Sequence, residues 1–88
     1  DAVPLAELFA WSEAEFGQRL AGSPIRRIGH ARWLRNIAVA LGNAASSPAI
    51  IAALRSRQQA PSLLVREHVD WALAQHAARD QPAAPAGR

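Results

Sequence analysis

Two ten-residue stretches share a pattern that sets the architecture of this chain: LRNIAVALGN at residues 34–43 and VREHVDWALA at residues 65–74. Arginine is second in both, and an Ala-Leu pair follows, with an offset of 31 residues at the arginine and 32 at the pair. Such a period is typical of α-solenoids, in which one helix pair is too thin to bury its own apolar face and stacks on the next. The repeat predicts an all-α chain forming a short α-solenoid of two imperfect repeats.

Helix signals divide the chain into about five helical segments. The signal is most complete at Ser12, where Glu15 can close a capping box and Trp11 and Phe16 can form a hydrophobic staple. No segment shows the alternation expected of a half-buried strand. The predicted helices cover residues 4–10, 13–21, 30–41, 48–57 and 62–79, and the serines interpreted as N-caps are Ser12, Ser23, Ser47 and Ser62.

The last predicted helix carries apolar residues on two sides. The main stripe is Val65, Val69, Ala72, Leu73 and His76, and the second stripe is Leu64, Trp71 and Ala78. We therefore expect other elements to cover this helix on both sides. The helical domain is predicted to span residues 1–79. Residues 80–88 are predicted to be a disordered tail, because they contain too few large apolar groups to offset chain entropy.

The composition excludes several classes of function. The chain has 88 residues and no cysteine, so it cannot supply disulfides, thiolate zinc sites, iron–sulfur ligands or cysteine nucleophiles. A chain this short buries only about 60–65% of its unfolded surface, which disfavours a deep substrate pocket. His68 and His76 have no third ligand nearby, so we predict no metal site. The sequence contains neither an apolar run long enough to span a membrane nor a signal-peptide pattern.

Positive charge is concentrated in the middle of the chain. Residues 16–66 contain eight arginines and no acidic residue, although the net charge of the whole chain is only +3. A basic surface gains affinity for RNA by releasing condensed counterions, and the planar guanidinium group suits phosphate oxygens. The segment therefore predicts phosphate contacts, and the candidate RNA-binding residues are Arg26, Arg27, Arg32, Arg35, Arg57 and His30.

Other side chains in and near this segment have structural interpretations. Arg66 is expected to pair with Asp70, and Arg19 with Glu15, because each pair is separated by four residues on a predicted helix. Trp33 lies at the margin of an apolar stripe, so it is the tryptophan with the best case as a stacking platform for a base.

The residues of the basic segment also resemble a known family. The block SPIRRIGHARWLRNIAVALGN at residues 23–43, with PSLLVREHVDWAL at residues 61–73, resembles the C-terminal part of the tRNA epoxyqueuosine reductase family. The resemblance covers residues 5–75. It implies a HEAT-like domain that helps to hold the tRNA anticodon stem-loop. It also implies upstream cobalamin-binding and ferredoxin-like domains, the latter with two [4Fe–4S] clusters.

The resemblance carries no catalytic, cofactor-binding or metal-binding residue into this chain, because the family's cysteines and catalytic acid lie upstream. It implies that the full-length protein is an oxidoreductase that reduces epoxyqueuosine to queuosine at the wobble position. It further implies a cytoplasmic monomer whose partners are tRNA and the upstream domains of the same polypeptide.

Two alternatives follow from the same residues. A solenoid could instead bind a partner protein on its concave face and have no role with nucleic acid. A helix-turn-helix DNA binder would use the basic helix for recognition, but the face formed by Arg32, Arg35 and Asn36 is short for reading bases.

Overall fold

A computed structural model describes residues 3–80 of the chain. Within those residues it contains five α-helices, one 3₁₀ helix and no strand, which confirms the all-α prediction. The elements are α1 (Val3–Phe9), α2 (Glu13–Arg19), the 3₁₀ helix Pro24–Ile28, α3 (His30–Asn43), α4 (Pro48–Arg55) and α5 (Leu63–Asp80).

The long helices α3 and α5 lie side by side and form one layer of the fold. Leu34, near the start of α3, and Val65, near the start of α5, line the same cleft. Gly42, near the end of α3, lies against Trp71 and Ala72 in the second half of α5. The two helices therefore run in the same direction, and equivalent positions of the two sequence repeats are neighbours.

The short helices α1 and α4 form the second layer. They pack on each other, α1 also packs on α3, and α4 also packs on α5. Each repeat thus pairs a short helix with a long one, and like helices of the two repeats are in contact. This arrangement confirms the predicted short helical solenoid.

Local signals fix the start of α2. The Ser12 Oγ accepts a hydrogen bond of 3.1 Å from the Glu15 backbone N–H, and the Glu15 carboxylate accepts one of 3.1 Å from the Ser12 N–H. The predicted capping box is therefore confirmed. The aromatic rings of Trp11 and Phe16 both pack on Trp33, with centroid distances of 5.3 and 5.0 Å.

The expectation that α5 is covered on two sides is wrong for the described residues. Its buried side consists of Val65, Val69, Ala72 and His76. On the opposite side Leu63 is 60% exposed, and Trp71, whose ring edge lies against Gly42 of α3, is still 39% exposed. The reason is geometric, because α3 and α4 both pack against the same half of the helix surface.

Helix α5 extends one residue beyond the predicted end of the domain. Asp80, predicted as the first residue of the disordered tail, is the last residue of α5. The rest of the predicted tail, residues 81–88, lies outside the described residues.

Candidate nucleic-acid interface

Two of the candidate arginines lie on the 3₁₀ helix. Ser23 caps this helix, since its Oγ accepts a hydrogen bond of 3.2 Å from the Ile25 N–H, and Pro24 opens it. Arg26 and Arg27 are both exposed. With residues 22–24 they line an open cleft of about 470 Å³. The 3₁₀ helix thus presents two adjacent guanidinium groups to solvent beside a concave surface.

Two more candidates lie on α3, directly after the turn at Gly29. This glycine has a φ of +86°, a conformation that costs glycine little, and it joins the 3₁₀ helix to α3. Arg32 is exposed. Arg35 is partly buried, and its Nε donates a hydrogen bond of 2.7 Å to the Asn36 Oδ1. Both arginines lie opposite the buried stripe of α3, as predicted from the helical period.

These four arginines are accessible from solvent and have no acidic partner in the described region. Within residues 4–79, no hydrogen bond joins Arg26, Arg27, Arg32 or Arg35 to a carboxylate. Their charges are therefore not neutralised by any carboxylate of the described residues.

The structure gives the other two candidates internal partners. Arg57 donates from Nε to the Phe9 carbonyl oxygen at 2.9 Å and from Nη2 to the Trp11 carbonyl oxygen at 2.8 Å. The Nε2 of His30 donates to the same Trp11 oxygen at 2.9 Å, and its ring packs on Phe16. Burial lowers the pKa of the Arg57 guanidinium by desolvation. RNA contact by Arg57 and His30 stays a prediction, and both have a structural role at the end of α1.

The arginines of α5 also bind backbone carbonyls. Arg66 donates from Nη1 to the Ala60 and Pro61 carbonyl oxygens, at 2.7 and 3.2 Å, and not to Asp70 as predicted. Arg79 donates from Nη2 to the Gly42 oxygen and from Nη1 to the Ala44 oxygen, both at 2.7 Å. The bonds of Arg79 satisfy carbonyl groups at the C-terminal end of α3, and those of Arg66 hold the loop before α5.

Arg19 also departs from its predicted pairing. Its guanidinium carbon lies 5.1 Å from the centre of the Trp11 ring, a cation–π contact. The carboxylate of Glu15, its expected partner, binds the Ser12 N–H in the capping box. The ring of Trp11, in the connection between α1 and α2, therefore takes the place of the expected carboxylate partner.

The tryptophan predicted as a stacking platform is part of the core. Trp33 is only 9% exposed and its face is covered by Trp11. Trp71, which the sequence placed on a covered stripe, is the exposed one. Periodicity predicted the reverse order of exposure, because it placed Trp33 at the margin of an apolar stripe and Trp71 within one.

The histidines do not form a metal site in the described residues. His76 is 1% exposed, its Nε2 donates to the Leu41 carbonyl oxygen at 2.7 Å, and its Nδ1 accepts from the Ser46 hydroxyl at 2.6 Å. His68 hydrogen-bonds the Leu64 carbonyl of its own helix at 2.8 Å. No group of three or more potential metal ligands occurs among the residues that the structure describes.

The loop between α2 and α3 argues against the helix-turn-helix alternative. That motif joins two helices by a turn of about three to four residues. Here a five-residue 3₁₀ helix and the Gly29 turn separate α2 from α3. The basic helix α3 is therefore not joined to the preceding helix in the way that the recognition helix of a helix-turn-helix motif is.

Comparison with known proteins relates this chain to proteins named epoxyqueuosine reductase. Relatives named epoxyqueuosine reductase match 86% of the chain in Xanthomonas campestris, with 66% identity over 76 residues, and in Pseudomonas aeruginosa, with 59% identity over 76 residues. The relative of that name from Escherichia coli K12 is 58% identical over 78 residues. The chain is a homologue of the C-terminal part of epoxyqueuosine reductases. The resemblance predicted from residues 5–75 is thereby confirmed.

The homology covers only one part of the epoxyqueuosine reductases. The chain spans about a fifth of the length of these relatives, between 20% and 21%. No family model matches the chain, and no solved structure matches it. Among residues 3–80, no helix has the length and hydrophobicity needed to span a bilayer.

Proposed function

We propose that this chain is the RNA-docking domain of a tRNA epoxyqueuosine reductase. The full-length oxidoreductase would reduce epoxyqueuosine to queuosine at the wobble position, and this domain would hold the anticodon stem-loop. The homology to proteins of that name supports the assignment to queuosine biosynthesis. Because the substrate would be a cytoplasmic tRNA, the proposed reaction would take place in the cytoplasm.

One observation carries the RNA-docking role. The arginines of the domain fall into two groups, of which one binds the protein's own carbonyl groups and the other faces solvent. Arg26, Arg27 and Arg32 belong to the second group, with the half-buried Arg35 beside them, and the four lie within ten residues of one another in a segment without acidic residues. Such a cluster has the charge and the planar hydrogen-bonding groups that RNA phosphates require.

The domain would position the RNA and leave the reduction to other parts of the polypeptide. Phosphate contacts fix the register and orientation of a nucleic acid without reading its bases. The two [4Fe–4S] clusters implied by the resemblance require cysteine ligands, which this chain does not contain, and the resemblance places the cobalamin-binding domain upstream. The proposed role of this chain is therefore confined to binding.

Salt-dependent RNA binding tests the proposal. The full-length protein is titrated with an anticodon stem-loop RNA at several salt concentrations, with and without the substitutions Arg26→Ala and Arg27→Ala. We expect weaker binding and a slope of log K against log salt that is shallower by about 0.7–0.9 for each lost phosphate contact. Unchanged affinity and slope would exclude these two arginines from the interface.

A matched substitution separates local contact from net charge. Arg55→Ala removes one exposed guanidinium from α4, on the other layer of the fold, so it should change the salt slope less than Arg27→Ala. Arg26→Lys with Arg27→Lys keeps the charge but loses the planar fork. Partial recovery of affinity in the lysine variant would indicate that phosphate charge, and not fork geometry, dominates the contact.

The exposed apolar side of α5 favours a second candidate, a protein-interaction module. This role excludes the first only if the full-length protein binds a partner protein at this domain and fails to bind the stem-loop at every salt concentration.

A further inference from the structure

The 3₁₀ helix presents an apolar side to solvent. Ile25 and Ile28 are 48% and 38% exposed, and they belong neither to the hydrophobic core of the described residues nor to the side chains packed against it. All five residues of this helix are exposed. A 3₁₀ helix has three residues per turn, so side chains three positions apart lie on the same side. Ile25 and Ile28 therefore form one exposed apolar patch, the isoleucine pair.

An arginine lies on each side of the isoleucine pair. By the same three-residue period, Arg26 follows the pair by a third of a turn in one direction and Arg27 by a third of a turn in the other. The Nε and Nη2 of Arg26 reach α2, where they lie 3.8 Å from the position of a Cβ at Gly17. No acidic residue occurs in residues 16–66. A partner that covers the pair meets positive charge at its rim, so it needs both apolar surface and negative charge.

Unpaired nucleotides of RNA have both properties. Their phosphates carry the negative charge, and their bases, once unstacked, expose flat faces on which side chains can pack. Isoleucine is among the apolar side chains that proteins insert between bases. In an A-form duplex stacking covers those faces, and the minor groove displays hydroxyl groups and base edges. The isoleucine pair gains little against such a polar surface, because the hydrophobic effect depends on the apolar area removed from water.

We propose that Ile25 and Ile28 make the RNA-docking surface selective for unpaired over paired nucleotides. The isoleucine pair packs on the bases of a loop, and Arg26 and Arg27 bind the phosphates beside them. The arginines alone attract paired and unpaired RNA alike, since phosphate contacts carry no information about the bases. The isoleucines add an attraction that only unstacked bases provide. This inference rests on the proposed function, and it assigns selectivity to residues that carry no charge.

Titration of the full-length protein with three RNAs tests this selectivity. The RNAs are an anticodon stem-loop, the same stem-loop with abasic sugars throughout its loop, and a duplex with the same number of phosphates. The serine variant carries Ile25→Ser and Ile28→Ser, and the leucine variant carries Ile25→Leu and Ile28→Leu, which keep the apolar area. Leu63→Ser is the matched control, because Leu63 is also exposed but lies four residues from the exposed Glu67 on α5. Circular dichroism confirms that all variants are folded.

We expect the serine variant to bind the stem-loop about tenfold more weakly than the parent protein, while its binding of the duplex and of the abasic stem-loop changes by less than about twofold. The slope of log K against log salt should stay the same, because no charge is removed. The leucine variant and Leu63→Ser should stay within about twofold of the parent protein for all three RNAs. This combined result supports the proposal.

Several other results overturn the selectivity of the isoleucine pair. An equal loss for the stem-loop and the duplex, or for the natural and the abasic loop, shows that the pair does not act through unpaired bases. Unchanged binding in the serine variant excludes the pair from the RNA interface and favours an acidic protein surface as its partner. A shallower salt slope shows that the substitutions displaced the arginines. An equal loss in the leucine variant or in Leu63→Ser shows that the apolar area of this pair is not the cause.

The same titrations separate this inference from the proposed function. All the contrary results above leave RNA docking by Arg26 and Arg27 intact, because that role is measured by the salt slope of their alanine variants. A parent protein that binds none of the three RNAs at any salt concentration overturns the proposed function and this inference together.

Discussion

Arg57 and Trp11 lie 46 positions apart in the sequence, yet the Nη2 of Arg57 donates a hydrogen bond of 2.8 Å to the Trp11 carbonyl oxygen. The same side chain binds the Phe9 oxygen at the end of α1. One guanidinium group thus joins the loop after α4 to the end of α1 and connects the two repeats through the layer of short helices.

Replacing Arg57 is expected to destabilise the domain. Arg57→Met keeps the aliphatic stem but removes the donors to two carbonyl oxygens, so the free energy of unfolding should fall by about 1–3 kcal/mol. Denaturant unfolding followed by circular dichroism measures the change. Arg55→Met, at an exposed position two residues away, should stay within about 0.5 kcal/mol of the parent chain. Equal effects of both substitutions would mean that the carbonyl bonds contribute nothing specific.

A second prediction concerns His76, which satisfies the Leu41 carbonyl in the core. His76→Leu removes the 2.7 Å donor to that oxygen, which then keeps only the longer 3.3 Å bond from the Ala44 N–H, and it also removes the acceptor of the Ser46 hydroxyl. We therefore expect a loss of about 1–3 kcal/mol in the free energy of unfolding. Ser46→Ala removes only the hydroxyl donor to the Nδ1, which also has Arg79 at 3.4 Å, and should cost less. A greater loss in the serine variant than in the leucine variant would contradict this ranking.

The close approach of α3 and α5 at Gly42 predicts that a side chain added there lowers the stability of the fold. A Cβ at this position would lie 2.5 Å from the Trp71 ring and 3.0 Å from the Ala72 Cα, so Gly42→Ala should force the helices apart. We expect a loss of about 1–3 kcal/mol, as for an overpacked core, measured by thermal or denaturant unfolding.

Gly17→Ala is the matched control for Gly42. The nearest atoms to a Cβ at Gly17 are Nε and Nη2 of Arg26, at an ordinary 3.8 Å. Alanine is favoured over glycine inside a helix by about 0.5–1 kcal/mol, so this variant should be more stable than the parent. Stabilisation by both alanines would show that α5 can move away from Gly42 without cost.

The serines that precede helices are expected to contribute stability and not catalysis. Ser12→Ala removes the Oγ that accepts from the Glu15 N–H and should lower the free energy of unfolding by about 0.5–2 kcal/mol. Ser56→Ala, at the end of α4, removes only a bond to the Ala53 oxygen and should have a smaller effect. Differential scanning calorimetry of the two variants compares them directly, and an unchanged melting temperature for Ser12→Ala would reject the capping box as a source of stability.

Much of the fold could be predicted because its signals are local. The Ser12 capping box, the turn at Gly29 and the 3.6-residue period of α3 each involve residues within a few positions of one another. The internal repeat then indicated how the long helices would stack. The cluster of solvent-facing arginines followed from the same period, since Arg32 and Arg35 lie opposite the apolar stripe.

The sequence by itself determined the helices, their caps and the acid-free basic segment, whereas the tertiary structure decided which charged and aromatic groups remain available to a partner. The bonds from Arg79 to the end of α3 join residues 35 and 37 positions apart, and no local pattern encodes them. The exposure of Trp71 and the burial of Trp33 depend likewise on which neighbouring helices cover each ring. Helix formation is governed by neighbours along the chain. Whether a guanidinium group binds a carbonyl oxygen or faces solvent depends instead on backbone groups that only packing brings within reach.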